Sequence, residues 1–586
     1  MKKIVCAAAL AAALPVLAQS PGDAQLDAAM AFARTYGVVR YFHPSDSLDR
    51  VDWNRFLVLG SERMAKVADR ASMGAQLEAL YAPIVDGFKV VPRGAPAPAI
   101  EGDGPLVEWR HLGYGMEPTP RTAPFVSWRT HHDPLHDGKI KGAYFQHEAE
   151  AARVKADPPI VRVPAGEGEA LVPVSLPMSA TKVGEAQDAR LKALAKALEP
   201  VAIAGDTATR AQAWADGIAA WNVARHFYPY WSGVRVDWEQ WLREWLAAQP
   251  QKQSRHQLRD ELRRLIAPLG DGLSGIADLE DKRPRAFLPI SVRPLGERWV
   301  VEASLVPDRV KPGDIVVAVD GTPATQYFAR SMKRESGSAQ FVRWRAARDL
   351  CFGIGGTKVS LGLERAGKRF DAQLDYDRNR LAGAPRPDPI AELQPGVFYV
   401  DLTRLQAAAF KVASASLTSA RAIVFDLRGF PSPEAALVLP LWLTGPDHAQ
   451  WMIVPRFDGP YARSTTGWST GWQLERDAAL AKPAKVLLTD ARAIRDAESL
   501  VGYFAGQKTG RIVGEATAGA NGNPVAATLP SGMKFIFTGT RITRHDGSIF
   551  HGEGFKPDEE VVPSVAGLAA GRDEVLERAV SEASKH

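Results

Sequence analysis

The side chains best able to do chemistry lie between residues 489 and 558. Acyl transfer by a hydroxyl group needs a nucleophile, a base within hydrogen-bond reach and donors for the oxyanion. In this stretch Ser499 carries a hydroxyl, and the segment RHDGSIFHGEG supplies His545 and His551, with Glu553 two residues after the second histidine. Histidine can act as a base or ligate a metal near neutral pH. These residues are one candidate site, although each is more often an ordinary loop or helix residue.

The layout of the same stretch resembles the tail-specific, or carboxyl-terminal processing, serine peptidases, the family that also holds the tricorn core protease. The shared features are a strand, a small-residue turn, a helix opening near Glu498, the pattern VGE-x-T-x-G and a final Gly-Phe-x-Pro-Asp. The resemblance implies a core of the ClpP/crotonase-like kind. In the family the nucleophilic serine precedes this glutamate by three residues, and here that position is Arg495.

The resemblance implies two alternative bases, and the chain lacks both. One branch uses a lysine in a Thr-x-Gly-Lys turn, 25 residues after the serine, and the lysine position here is Ala520. The tricorn-like branch uses a histidine after Leu-Gly-Asp-Gly, which is intact at 269–272 but is followed by Leu273. The position of the acidic partner holds His551. The register is fixed independently at each motif, so the standard nucleophile and bases are all missing.

Arg495 cannot replace a serine, because its guanidinium stays protonated and only donates hydrogen bonds. It could instead bind a carboxylate through two parallel hydrogen bonds. The alternative is an ion pair with Asp496, Glu498 or another nearby acid that fills the old site. In the family the oxyanion donors are backbone amides, whose equivalents here are Gly429 and Asp496.

The turn after Asp426-Leu427-Arg428-Gly429 departs from the family pattern. The family continues with Asn-Pro-Gly-Gly, whereas this chain has Phe430-Pro431-Ser432-Pro433. Proline removes a backbone donor and fixes φ, and glycine would have kept the turn adaptable. Ser432 in this turn and Ser499 in the helix are the alternative nucleophiles, and the sequence shows no obvious base for either.

Residues 286–378 resemble a PDZ-type domain of the same family. The tight turn at Gly313 and Asp314 leads into the alternating strand IVVAVDG, and KVSLGLERAGKRFDAQLDY predicts a later hairpin. PDZ domains bind an extended peptide as an added strand and hold its carboxylate with backbone amides. Gly313, Asp314 and Arg495 are therefore the candidate residues for peptide or carboxylate binding. The alternative is a β-module that only packs between its neighbours.

An internal repeat with a constant offset of 185 residues predicts two copies of one helical unit, at 23–99 and 205–284. Matching blocks include VRYFHP with ARHFYP and, in both copies, Val-Asp-Trp. Between the copies, residues 100–195 are predicted to form a β-rich insert. Its pair His131-His132 lacks a third ligand at metal-binding spacing. Apolar runs alternate with helical patterns from 390 to 570 and predict the α/β core.

Composition indicates a folded, multidomain α/β protein. The chain has 586 residues, enough for about three to five domains. Its net charge of +5 includes no basic run that would indicate nucleic acid. Residues 1–18 have the pattern of a secretory signal cut after Ala18, which predicts a periplasmic or secreted protein. After cleavage Cys351 is the remaining cysteine, so no internal disulfide is expected. No later segment reaches the apolar length of a membrane span.

Three functions follow as hypotheses. The first is a protein with little or no peptidase activity that binds peptides or protein C-terminal tails, or an active protease relative. The second is an active endopeptidase that uses Ser499 or Ser432. The third is an envelope protein that binds through the β-rich insert. The sequence predicts neither a cofactor nor a metal site for any of them.

Overall fold

The computed structural model describes residues 20–117, 125–131, 159–442, 444–461, 467–475 and 483–585. The predicted leader and His132 lie outside the described residues. In the described part, no helix combines the length and apolar character needed to span a membrane.

Helices occupy equivalent positions in the two sequence repeats. They are α1 (Asp23–Phe42), α2 (Trp53–Met64) and α3 (Met73–Tyr81), then α4 (Glu185–Leu198) between the repeats, and α5 (Arg210–Phe227), α6 (Trp238–Ala248) and α7 (Arg255–Ile266). α1 and α5 end before His43 and Tyr228, each extended because a proline follows. α2 and α6 begin after Asp52 and Asp237, whose side chains accept hydrogen bonds from helix amides. The offset of the sequence repeat therefore holds for these helix ends as well.

The two sets of helices share one apolar core. The tryptophan-rich face of α6 is part of this core, because Trp238, Leu242 and Trp245 are buried. Trp241 is partly buried, and its indole N–H donates to the Leu265 carbonyl at 2.8 Å. This face therefore has a packing role.

The described part of the N-terminal half of the chain contains nine strands, five of them within the segment predicted to be β-rich. They are β1 (Lys89–Pro92), β2 (Leu106–Leu112), β3 (Val126–Arg129), β4 (Ile160–Ala165), β5 (Gly168–Pro173) and β6 (Ser175–Pro177), followed by β7 (Thr207–Thr209), β8 (Lys252–Ser254) and β9 (Gly275–Ala277). β1, β5 and β4 form one sheet, and β2 pairs with β3 and β6. The segments APFVSWRT and GEALVPVSLPMS contain β3, β5 and β6, so strands do occur in the insert predicted to be β-rich. The segment also contains part of a helix, because α4 begins at Glu185.

The next region is an antiparallel sheet with two helices. Its elements are β10 (Arg285–Phe287), β11 (Ile290–Leu295), β12 (Arg298–Ser304), β13 (Ile315–Val319), β14 (Thr322–Pro323), α8 (Ala324–Met332), α9 (Ala339–Leu350), β15 (Phe352–Ile354), β16 (Lys358–Arg365) and β17 (Lys368–Asp375). The main strand order is β11-β12-β13-β16-β17, and the predicted hairpin is β16–β17. Phe328 on α8 stacks on Trp299 of β12 at 3.6 Å between ring centroids. The assignment of this region as a PDZ-type domain stays a prediction.

The remaining elements build the α/β core. They are β18 (Ile390–Gln394), β19 (Val397–Asp401), α10 (Ala407–Ser419), β20 (Ala422–Asp426), α11 (Leu439–Trp442), β21 (Met452–Phe457), β22 (Gly467–Thr470), β23 (Ala484–Thr489), α12 (Asp496–Gly506), β24 (Arg511–Gly514), β25 (Pro524–Thr528), β26 (Lys534–Thr538), β27 (Arg541–Ile542), β28 (Glu559–Glu560), α13 (Val565–Ala569) and α14 (Glu574–Ala583). The main sheet has the order β18-β19-β20-β23-β24-β28 and is parallel from β19 onward.

Both faces of the central strands are buried, which is why they read as continuous apolar runs. Phe425 and Leu487 pack with Val501 of α12 on one face, whereas Val424 and Val486 pack with α14 on the other. The core packing therefore extends beyond residue 570. The parallel strands β20 and β23 end at the same edge, which brings the Asp426–Gly429 turn and the turn before Arg495 to one side of the sheet.

Two further pairings attach the helical regions to the core. β26 pairs with β9, which follows the second set of helices. β21 pairs with β2 from the β-rich segment. The motif at 269–272 precedes β9 directly and is thereby held beside the core.

Candidate active site

A sharp turn between β23 and α12 positions Arg495. The residue has φ 58° and ψ −118°, a conformation that a residue with a side chain rarely adopts. Its amide donates to the Ala520 carbonyl at 3.0 Å, and the Ala518 amide donates to Ala493 at 2.9 Å. The loop at 518–520 thus holds the turn in place. Strain of this kind persists where surrounding contacts enforce it, and it is common at functional sites.

Glu498 is the buried acid at the centre of these contacts. Its carboxylate accepts from the Thr517 hydroxyl and from the amides of Gly519 and Ala520, at 2.6 and 2.7 Å for the two amides. Burial raises the pKa of Glu498 to about 7, against the lowering effect of these three hydrogen bonds. The end of the pattern VGE-x-T-x-G, together with the Ala520 that follows it, therefore supplies the donors that hold this carboxylate. In the sequence, Glu498 serves only to mark the position of the family nucleophile three residues earlier. The spacing between Glu498 and Thr517 does not reveal that their side chains form a hydrogen bond.

The positions of both family bases meet beside the turn. Leu273 and Ala520 belong to one apolar cluster with Phe341, Trp344 and Ile494, the residue before Arg495. Packing is tight, because a Cβ added at Gly272 would lie 2.5 Å from the Ala520 Cβ. The structure therefore brings Leu273 and Ala520 together, and apolar side chains fill the space beside the Arg495 turn.

Arg495 makes no ion pair with any residue that the structure describes. Its Nε is buried and has no hydrogen-bond partner in the same part of the chain. The guanidinium carbon lies 6.0 Å from the centroid of the Phe430 ring, and Phe430 is 51% exposed. Glu498 is occupied by its cradle and Asp496 is exposed. The guanidinium thus keeps unused donors next to an exposed aromatic ring.

Backbone hydrogen bonds already engage the amides of the turn that contains Gly429. The Gly429 amide donates to the Leu427 carbonyl at 2.9 Å, and the Ser432 amide donates to Leu402 at 2.8 Å. Behind the turn, Arg428 donates to Asp426 and to Asp573, the residue before α14. Burial opposes ionisation of Asp426, yet the charges of Arg428 and Arg386 hold its pKa well below the ordinary value. The other predicted oxyanion donor, Asp496, stands at the first position of α12, where amides lack an intrahelical acceptor.

The two alternative nucleophiles have different surroundings. Ser499 is buried within α12, and its hydroxyl accepts from the Asn521 side chain at 2.9 Å. The hydroxyl of Ser432 is buried and has no hydrogen-bond partner in the described part of the chain. No histidine or lysine bonds to either hydroxyl among the described residues.

His551 binds the core loop to the second set of helices. Its Nε2 lies 2.8 Å from the Tyr228 hydroxyl, and its ring stacks on Tyr230 at 3.7 Å. Burial of the ring nitrogens lowers the pKa of His551 to about 4, so the ring is neutral near pH 7. Of the neighbouring candidates, Glu553 receives a hydrogen bond from Gln340 at its backbone carbonyl. His551 thus has a packing and bridging position.

His545 lies at a separate place, with its Nε2 3.0 Å from Asp447 and its ring against Tyr503. His131 is an exposed turn residue. Within the described ranges, no group of three or more His, Cys, Asp or Glu side chains could hold a metal ion.

The predicted carboxylate-binding turn at Gly313 and Asp314 already has partners. The Gly313 amide donates to Val301 at 2.9 Å, and an added Cβ would lie 2.6 Å from the Cβ of Ala569 on α13. The Asp314 carboxylate binds Arg365 at 2.6 and 2.7 Å. The turn is therefore packed against the C-terminal part of the chain, and its role in binding stays a prediction.

A cavity of about 610 Å³ opens between the antiparallel sheet and the core turn. It is lined by Gly429 and Phe430 from the core, by Arg492 from the turn before Arg495, and by Arg293 and Glu302 from β11 and β12. The volume is within the range of small-ligand and peptide sites. The cavity borders the ring that Arg495 faces.

Residues 453–561 match the sequence model of peptidase family S41. The matched range contains the strained turn, the Glu498 cradle and His551. The match covers this part of the core and does not extend to the helical regions. No curated protein matches the chain.

Three solved structures are similar to the chain at low sequence identity and with TM-scores below 0.5. Mature CPAF complexed with lactacystin is 12% identical, with 62% of this chain and 96% of that chain covered and a TM-score of 0.49. The photosystem II D1 C-terminal processing protease is 19% identical, with 61% and 97% covered and a TM-score of 0.37. The tricorn protease is 12% identical, with 74% and 41% covered and a TM-score of 0.31.

Proposed function

We propose that this protein is a peptide-binding member of family S41 with little or no peptidase activity. The observation that carries the proposal is the strained turn, where a family nucleophile would stand and where Arg495 has Ala520 and Leu273 beside it. A guanidinium cannot attack a carbonyl, and an apolar cluster cannot accept a proton. The peptides are C-terminal tails of other proteins, and an active protease relative is a further partner of this kind.

Arg495 is the residue we assign to carboxylate binding. Its unused donors and the neighbouring Phe430 ring offer a charge-assisted contact and an apolar contact side by side. The cavity beside Phe430 has room for the side chains of a short peptide. The antiparallel sheet at 286–378 acts as a PDZ-type module that holds the peptide, and the helical repeats serve as its scaffold. Secretion through the leader at 1–18 places the protein in the periplasm or outside the cell.

Binding of two matched peptides tests the role of Arg495. A peptide with a free C-terminal carboxylate should bind at least about tenfold more tightly than the same peptide with a C-terminal amide, because an ion pair is lost in the second. Arg495→Gln should abolish this difference. Arg421→Gln is the control, since Arg421 is an exposed arginine of the same core. Equal binding of both peptides to the unchanged protein would contradict the assignment.

Relocated catalysis is the second candidate function, and the unpartnered hydroxyl of Ser432 favours it. Digestion of a denatured protein separates the two functions. We expect the unchanged protein to cleave the denatured substrate no faster than Arg495→Ala does. Cleavage that persists in Arg495→Ala and disappears in Ser432→Ala or Ser499→Ala would establish the second function instead.

A further inference from the structure

A second cavity lies in the first helical copy, away from the Arg495 turn. We call it the Arg40 pocket. It has a volume of about 350 Å³ and is lined by Arg40, Tyr36, Tyr41, Trp53, Asn54 and Tyr114, among others. α1 supplies the arginine and two tyrosines, α2 supplies the tryptophan and asparagine, and Tyr114 follows β2. The volume is at the lower end of the range for small-molecule sites.

Arg40 is the one cation among the three charged side chains that line the pocket, and the other two are Asp52 and Glu117. Its guanidinium carbon lies 5.1 Å from the centroid of the Trp53 ring, and no described residue forms an ion pair with it. The two acids nearby have partners of their own. Asp52 caps α2 and binds Arg55, and Glu117 accepts from Thr528.

The second copy shows the same arginine with a counterion. Arg225 is the equivalent of Arg40, and its Nη1 donates to the Glu239 carboxylate at 2.8 Å. Glu239 is the residue of the second copy that corresponds to Asn54. Both arginines lie in the last turn of a helix, so the C-terminal carbonyls stabilise them alike. The difference between the copies is therefore the missing acid.

Aromatic rings also differ between the copies. In the second copy the guanidinium of Arg225 lies between Trp221, at 4.7 Å, and Tyr461, at 4.6 Å. In the first copy the smaller Tyr36 stands at the position of Trp221, and the space beside Arg40 is open. The rings of Tyr36 and Trp53 meet edge to face, with their centroids 5.8 Å apart, and form an aromatic corner of the pocket.

We propose that the Arg40 pocket binds a small carboxylate with a planar apolar body, whose carboxylate takes the place that Glu239 occupies in the second copy. The guanidinium fork matches a carboxylate through two hydrogen bonds. The Tyr114 hydroxyl already donates to Glu117, so the lining tyrosines contribute chiefly their rings, which contact the body of the ligand.

Calorimetry with benzoate and its neutral analogue benzamide tests the proposal on the full chain. Benzoate should bind saturably, and benzamide should bind at least about tenfold more weakly because it lacks the charge. Asn54→Glu restores the acid of the second copy and keeps the arginine, so it should weaken benzoate binding by about tenfold or more. Arg40→Gln should do the same. Gln76→Glu, an exposed change on α3, adds the same charge outside the pocket and should have no effect.

Three results would overturn the proposal: no saturable binding of benzoate, equal binding of benzamide, or benzoate binding that Asn54→Glu leaves unchanged. Binding of inorganic phosphate without binding of benzoate would also overturn it, because the site would then select a different anion. Urea unfolding of each variant shows that the fold is retained, and Asn54→Glu should be at least as stable as the unchanged protein.

Discussion

Two regions of the site differ in how fully their polar groups are hydrogen-bonded. One is the framework of buried carboxylates around the Arg495 turn, and the other is the centre, which is Arg495 itself and the apolar residues beside it. Around the turn, Glu498, Asp271 and Asp426 are buried carboxylates with several donors each. Asp271, for example, accepts from the Leu273 amide and from both the amide and the hydroxyl of Thr538. At the centre, by contrast, Arg495 has an unpartnered Nε and apolar neighbours.

This difference shows which part of an enzyme site the fold itself requires. A buried carboxylate that loses its donors, or donors that lose their carboxylate, destabilise the folded state directly. The centre makes few such bonds, so its residues can change without loss of the fold. A chain can therefore lose its chemistry and retain the framework that once positioned it.

The largest loss of stability is expected when a buried carboxylate of the framework is removed. Glu498→Ala leaves the Thr517 hydroxyl and two buried amides without an acceptor. The free energy of unfolding should fall by about 3–5 kcal/mol, as for other broken buried polar contacts. Arg495→Ala should change it by less than about 1 kcal/mol, because the side chain has no ion pair among its described neighbours. Urea unfolding followed by circular dichroism measures both values.

Equal losses for the two variants would contradict the distinction between framework and centre. Glu498→Gln should lose an intermediate amount of unfolding free energy, since the glutamine side chain keeps one acceptor oxygen for the three donors.

The pH dependence of stability gives the next largest effect. Burial raises the pKa of Glu498 from about 4.5 in the unfolded chain to about 7 in the folded protein. The folded state then binds the proton more tightly, so its stability is full below pH 4.5 and falls as the pH rises through 7. The loss amounts to about 3 kcal/mol at most. Urea unfolding of the unchanged protein and of Glu498→Gln, at pH 5, 6, 7 and 8, should show this slope only in the former.

His551 should show the opposite slope with a similar size. Its pKa falls from 6.5 to about 4 on folding, so the unfolded chain binds the proton more tightly between these values. Stability is full above pH 6.5 and is lost as the pH falls toward 4, by about 3 kcal/mol at most. His551→Gln should remove this part of the acid destabilisation. Identical acid sensitivity in both proteins would show that the ring is not enclosed by Tyr228 and Tyr230.

The sequence predicted the elements of the core well and the contacts of the site only in part. Continuous apolar runs identify β19, β20, β23 and β24 because both faces of these strands are buried. The internal repeat predicts the helices of both copies, because the residues that begin and end these helices recur at the same offset. Motif spacing also brings Arg495, Ala520 and Leu273 to one place. The cradle of Glu498 and the ring of Phe430 beside Arg495 depend on side-chain directions across loops, and these leave no periodic signal.

The position of α14 was missed for a related reason. Its helical pattern lies beyond residue 570, and the bond from Arg428 to Asp573 joins residues 145 positions apart. No local pattern carries such a contact. The difference between the surroundings of Arg40 and Arg225 is an exception, because it can be found in the sequence itself. The internal repeat aligns Asn54 of the first copy with Glu239 of the second.

The smallest effect is expected from restoring two family residues at the centre. Arg495→Ser combined with Leu273→His should cleave denatured protein no faster than Arg495→Ala. The Gly429 amide, one of the family's oxyanion donors, already donates to Leu427, and Pro431 stiffens the turn that follows it. Loss of one such donor costs about 10²–10³-fold in rate. The new histidine would also lie among apolar side chains, where burial lowers its pKa and weakens it as a base.

A third change separates these two causes. Replacing residues 430–433 with the family's Asn-Pro-Gly-Gly, on top of the double variant, frees the turn without altering the apolar cluster. Cleavage that appears only in this combined protein would assign the block to the oxyanion donor. Cleavage already present in the double variant would mean that Gly429 releases Leu427 when a substrate binds. The centre would then be a dormant site whose missing residues were its sole defect.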